Sequence, residues 1–174
     1  MDARRELIER SIPFLNEIKN RTAGAELERW LNEAYGQGTL LYEDLARLIK
    51  AGVEDGWAAN VEIDGPHYRR SRIAAPSEET HYFSITAVYM SSEARFRGQY
   101  HAHPYGELNM VVPIDPGAQL MGPNGWSGPG WTAPAPGSHH YPEVRGGALI
   151  ALFYLPAGRI SYDIRAPEEA AGVA

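Results

Sequence analysis

Three side chains that bind metals crowd into one short stretch, Gly98-Gln-Tyr-His-Ala-His-Pro-Tyr-Gly-Glu107. His101, His103 and Glu107 follow the spacing H-x-H-x-x-x-E. Side chains on a strand alternate between its faces, so His101 and His103 point the same way. Pro104-Tyr105-Gly106 reads as a turn, because Pro fixes φ and Gly accepts left-handed geometry. A turn there starts a second strand at Glu107 and folds its carboxylate back toward the imidazoles. Two imidazole nitrogens and one carboxylate oxygen suit a divalent metal ion. A lone H-x-H pair is a weak signal, so the rest of the chain must supply more.

It supplies another imidazole. Trp131 to His140 reads Trp-Thr-Ala-Pro-Ala-Pro-Gly-Ser-His-His, a Pro/Gly turn leading into two adjacent histidines. Either His139 or His140 could be the further ligand, since a one-residue change of strand register swaps which of them points inward.

Strand parity extends the site. Arg97 and Gln99 share a face with His101 and His103, and Asn109 and Val111 share one with Glu107. If the histidines face a barrel lumen, Arg97, Gln99 and Asn109 face it too. A buried guanidinium must be paired, and its planar fork matches a carboxylate. The expected ligand is therefore small and anionic. Trp126, Trp131, Tyr105 and Tyr154 could wall an aromatic ring, although a plain core role is the commoner one for each alone.

The elements that must position these groups change character along the chain. Residues 3 to 21, 24 to 35 and 40 to 51 show apolar residues at helical spacing. Pro13 predicts a kink in the first helix, or a restart capped by Ser11. Gly36 and Gly38 end the second helix, and Gly52 or Gly56 ends the third. From Trp57 onward short β-rich runs alternate with Gly/Pro turns. Arg95 to His103 is the expected metal-bearing strand, with Glu107 to Ile114 as its partner. Gly117 to Gly130 reads as a loop at a barrel mouth. Ala148 to Leu155 is a nearly continuous apolar run, as in a strand buried on both faces. The expected architecture is mainly β: a helical N-terminal extension (1–56), a β-barrel (57–165) and a tail (166–174).

Composition narrows the function. The chain has 174 residues and a net charge of −6, with no basic run to suit nucleic acid or an anionic membrane. It has no cysteine, which excludes disulfides, thiolate metal sites and cysteine nucleophiles. No apolar run approaches a membrane span, and the N-terminus is charged rather than signal-like, so a cytoplasmic location is expected. No G-x-G-x-x-G or phosphate loop is present.

H-x-H-x-x-x-E followed by Pro136-Gly137-x-x-His140 resembles the two motifs of the cupin superfamily. The resemblance implies a small jelly-roll barrel with one metal held by His101, His103, Glu107 and His140. Longer runs, His101-Ala-His-Pro-Tyr-Gly-Glu-Leu-Asn-Met-Val-Val-Pro and Trp131 to Gly147, are similar to the 4-hydroxylaminobenzoate lyase family. That similarity implies conversion of 4-hydroxylaminobenzoate and water to protocatechuate and ammonia, in bacterial nitrobenzoate breakdown. The ligands allow Fe, Mn, Ni, Co or Zn. On residue chemistry, Arg97 is the expected carboxylate clamp, with Gln99, Asn109 and Trp131 as further substrate contacts. His139, Glu143 and Tyr105 are the candidate proton donors. A homodimer is expected, since small cupins commonly pair their sheets. Two other readings share the ligand set: a cupin dioxygenase acting on a catechol- or aminophenol-like acid, and a non-catalytic small-molecule-binding cupin.

Overall fold

Each of the three N-terminal helices presents an apolar stripe that a sheet must cover. In the computed structural model, which describes residues 2–93, 101–122, 124–140 and 142–161, these are α1 (Ala3–Ile18), α2 (Ala25–Tyr35) and α3 (Leu40–Asp55). The Asp2 side chain caps α1 by accepting the Arg5 N–H at 2.8 Å. The helix then continues through Pro13 with no restart at Ser11. Two things hold it together there. Leu7, Phe14, Leu15 and Ile18 are buried on the sheet. The Ser11 hydroxyl donates back to Leu7 O at 2.9 Å instead of capping a new turn. Gly56 ends α3 in left-handed geometry, its N–H donating to Gly52 O. Gly52 stays within the helix, where a Cβ would meet the Trp57 ring at 2.6 Å.

Among the described residues, eleven strands follow. A six-stranded antiparallel sheet runs in the order β1 (Val61–Glu62), β2 (Tyr68–Ala74), β3 (Phe83–Ser91), β11 (Ala148–Pro156), β5 (Leu108–Pro113) and β8 (Gly130–Thr132). Opposite it lie a three-stranded sheet, β10 (Glu143–Arg145), β6 (Gln119–Gly122) and β7 (Gly125–Ser127), and a pair, β4 (His101–His103) with β9 (Ser138–His140).

The large sheet is buried on both faces. Ile85, Ala87, Met110, Val112, Ile150, Leu152 and Tyr154 pack against the helices in one core. Val88, Met90, Val111, Leu149 and Ala151, from the alternate positions, pack with Leu120 in a second core inside the barrel. Two buried faces explain the unbroken apolar run of β11. At ~1.5–3 kcal/mol per fully buried large apolar side chain, the helix-side core is a major part of the stability.

Two connections differ from the sequence expectation. β4 pairs with β9, not with the strand after Glu107. The turn at Pro104–Gly106 carries the chain around a barrel corner instead of back along the same sheet. Gly106 has φ +81° and its N–H donates to His103 O, while Glu107 N–H donates to Pro134 O. A Cβ at Gly106 would lie 2.6 Å from the Ala23 Cβ, so glycine is needed for space as well as for φ. The segment from Gly117 to Gly130 is not an open loop. It forms the β6–β7 hairpin because Leu120, opposite Ser127, drives into the lumen core.

Candidate metal centre in the barrel lumen

His101 and His103 alternate with Ala102 on β4 and are 7% and 0% exposed, and Glu107, the residue before β5, is 2% exposed. Three ionisable groups buried together require a common reason. One ligand atom from each lies within 4.8 Å of the others. The Nε2 atoms of His101 and His103 are 2.9 Å apart, and His103 Nε2 also meets Glu107 Oε2. On the far side of the ring, His103 Nδ1 lies 3.1 Å from Ser138 Oγ. That contact occupies Nδ1 and leaves Nε2 to face the cluster.

Across the β4–β9 pair, His101 is opposite His140, Ala102 opposite His139 and His103 opposite Ser138. His140 thus occupies the row of His101. His139 occupies the row of Ala102 and is exposed.

A cavity of about 130 Å³ opens beside His101, Glu107 and Asn109. Its walls include Val88, Met90, Leu120 and Phe153, so it is chiefly apolar. Asn109 is 2% exposed, and its Oδ1 has no hydrogen-bond partner among the described residues. Thr132, opposite Asn109 in register, and Ser84 on β3 likewise bury hydroxyl oxygens without a partner among the described residues. Buried polar atoms are rarely left in this state, so these acceptors mark a polar end of the lumen.

The other sequence candidates fall elsewhere. Arg97 and Gln99 lie outside the described residues. Tyr105 is 55% exposed on the corner turn and does not line the lumen. Glu143 alternates with Val144, which packs into the lumen core, so Glu143 belongs to the outer face of β10. Trp131 and Tyr154 are buried, but on the helix side of the sheet. Trp131 Nε1–H donates to Tyr35 O at 2.9 Å, and both rings pack against Phe14. Trp126 lies under the Arg145 guanidinium. Among the described residues, Tyr68 and Phe153 line the cavity.

Tyr68 and Arg70 were not among the sequence candidates for the site. Tyr68, Arg70 and Arg72 sit opposite Met90, Val88 and Thr86, which puts all three on the lumen face of β2. The Tyr-Arg-Arg-Ser-Arg-Ile alternation was available, but both of its faces carry polar residues, so sequence alone gave it no sidedness.

A barrel of two opposed sheets with an N-terminal helical layer and a His-His-Glu cluster in its lumen is a cupin-type fold. The family model for PnbB, 4-hydroxylaminobenzoate lyase, matches residues 9–162. A 4-hydroxylaminobenzoate lyase of Nocardioides sp. (strain LMS-CY) is 70% identical over 97% of this chain and 100% of its own length. One from Pseudomonas putida is 61% identical over 95% of this chain and 99% of its own. The chain belongs to the 4-hydroxylaminobenzoate lyase family and is a lyase. Among solved structures, the DMSP lyase DddQ from Ruegeria pomeroyi DSS-3 aligns over 92% of this chain and 96% of its own, at 13% identity and a TM-score of 0.43.

Proposed function

We propose that this chain converts 4-hydroxylaminobenzoate and water to protocatechuate and ammonia, with one divalent ion held by His101, His103, Glu107 and His140. The carrying observation is the buried convergence of His101, His103 and Glu107 beside a lumen of single-ring size, in a chain 70% identical to a 4-hydroxylaminobenzoate lyase. The donor set fits a cation. Two Nε2 atoms and a carboxylate crowded together in a buried site need positive charge among them. Bound there, a divalent ion supplies Lewis-acid polarisation of an oxygen.

The overall change is redox-neutral and balances with one net water. Protonation of the hydroxylamino oxygen lets the N–O bond break, its electron pair leaving with oxygen as water. A water oxygen then bonds to the ring carbon beside nitrogen, leaving a C=N bond at the next carbon. Hydrolysis of that imine releases ammonia, and proton loss from the ring carbon restores aromaticity with two adjacent hydroxyls.

The chain's own residues match these needs. Tyr68 lines the cavity and carries an O–H that can protonate the leaving oxygen. The amide oxygen of Asn109 accepts an N–H or a water proton at the polar end. Phe153, Val88 and Met90 hold the ring and exclude bulk water from the imine until its hydrolysis. A homodimer in the cytoplasm belongs to the same reading; light scattering tests the first part of it.

The test is anaerobic turnover by metal-replete protein. One protocatechuate and one ammonia per 4-hydroxylaminobenzoate, with no requirement for oxygen, supports the proposal. Turnover that needs oxygen would point to a ring dioxygenase, and binding without turnover to a non-catalytic barrel.

A further inference from the structure

We propose that Arg70 receives the substrate carboxylate, at the end of a lumen that admits a single aromatic ring. The inference deepens the lyase reading and rests on it for which aromatic acid binds.

Strand register carries the first half. On β2, Arg69, Ser71 and Ile73 face away from the lumen: Ile73 joins the helix-side core, Ser71 Oγ accepts the Ala59 N–H, and Arg69 stacks over Tyr89. Tyr68, Arg70 and Arg72 therefore take the lumen face. Arg72 is exposed beyond the cavity, whereas Arg70 is half-buried and lines it. Among the described residues, Arg70 is the one Arg or Lys in the cavity wall. A guanidinium beside apolar walls, with a planar fork of donors, is built for a carboxylate.

Dimensions carry the second half. From β2 to β5 the sheet order is β2, β3, β11, β5, which is three strand spacings or roughly 14 Å measured along the curved sheet. The Arg70 side chain, the ligand and the Asn109 side chain must share that span. The cavity of about 130 Å³ is close to the ~150 Å³ that accommodates benzene in an apolar protein cavity. A single ring is the unit that matches this space.

Two stable probes, 4-aminobenzoate and aniline, differ only in the carboxylate. Their binding is to be measured by calorimetry on metal-replete wild type and on Arg70→Ala, Arg70→Lys, Arg97→Ala and Arg72→Ala, each checked for an unchanged melting temperature. The proposal expects Arg70→Ala to weaken 4-aminobenzoate by about 10- to 100-fold, as for one charge-assisted forked contact, and aniline by less than about twofold. Arg70→Lys recovers part of the loss even if Arg70→Ala fails to fold, because the ammonium keeps the charge without the fork. Arg72→Ala stays near wild type. Equal losses on both probes, no loss in either Arg70 variant, no binding of 4-aminobenzoate by wild type, or a carboxylate-specific loss confined to Arg97→Ala would each overturn it. If Arg70 controls 4-aminobenzoate binding while wild type does not turn over 4-hydroxylaminobenzoate, the clamp stands and the lyase reading falls.

Discussion

His101 and His103 hold their Nε2 atoms 2.9 Å apart inside the barrel, two residues apart on one strand, with the Glu107 carboxylate against them. This proximity follows from alternation on β4 and from the glycine-dependent corner that leads into β5. It predicts that the three groups act as a unit. His103→Ala and Glu107→Gln should each purify with well under one tenth of the wild-type metal content, measured by elemental analysis, since losing one ligand leaves an incomplete set. Register extends the prediction. His140→Ala should lose metal in the same way, whereas His139→Ala, altering an exposed residue in the row of Ala102, should retain it. The opposite pattern would put the β4–β9 register off by one.

Ser138 touches the outer nitrogen of His103, on the side of the ring away from the cluster. Such partners fix ring orientation, and their loss typically lowers metal affinity by about 10- to 100-fold. Ser138→Ala should therefore weaken metal binding in a competition titration by about that factor, without changing the stoichiometry. Ser138→Thr, which keeps the hydroxyl, should recover much of it. An unchanged affinity would make the contact incidental.

Much of this was legible in the sequence, and the gaps have physical causes. The helices declared themselves by period, and β11 by a run with no polar interruption. H-x-H parity correctly put His101 and His103 on one face, because alternation is a property of a single strand. Pairing is not. That β4 would join β9 depends on where the corner at Gly106 sends the chain, and a turn signal does not say whether the next strand returns to the same sheet. Sidedness was hidden for a related reason. With helices covering one face of the large sheet, that face is as apolar as the lumen, so the sequence left both a core role and a pocket-wall role open to Trp131 and Tyr154, and the structure puts both in the helix-side core. Arg70 escaped notice because β2 is polar on both faces.

The helix-side core carries a testable polar contact. The Tyr154 hydroxyl lies 2.8 Å from Ser11 Oγ, and both residues are fully buried. Burial pushes the Tyr154 phenol well above its usual range. Ser11→Ala strands a buried phenol O–H and should cost ~1–3 kcal/mol in urea unfolding. Tyr154→Phe should cost less, about 1 kcal/mol, because Ser11 keeps Leu7 O as its acceptor. The reverse order would mean that a water satisfies the phenol.

Tyr42 gives the alkaline limit a direction. Its hydroxyl donates to Val111 O at 2.6 Å, and burial pushes its pKa from 10.0 to about 12. The unfolded chain therefore loses this proton at lower pH than the folded one. The contribution is fully present below pH 10 and drains away as pH rises toward about 12. Tyr42→Phe should flatten the fall in stability across that window. It should not abolish the fall, because Tyr154 is shifted in the same direction. Identical slopes for variant and wild type would remove Tyr42 from the account.

The central claim is that the His101–His103–Glu107 cluster, with His140, holds the ion on which the lyase reaction depends. The most direct measurement strips the protein with a chelator and adds a divalent metal back in steps under anaerobic conditions, following protocatechuate release from 4-hydroxylaminobenzoate at each step. The account predicts no turnover in stripped protein, a linear rise that saturates at one ion per chain, and no recovery in Glu107→Gln at any metal concentration that saturates wild type. Full turnover by stripped protein, or recovery in Glu107→Gln equal to wild type, would contradict it.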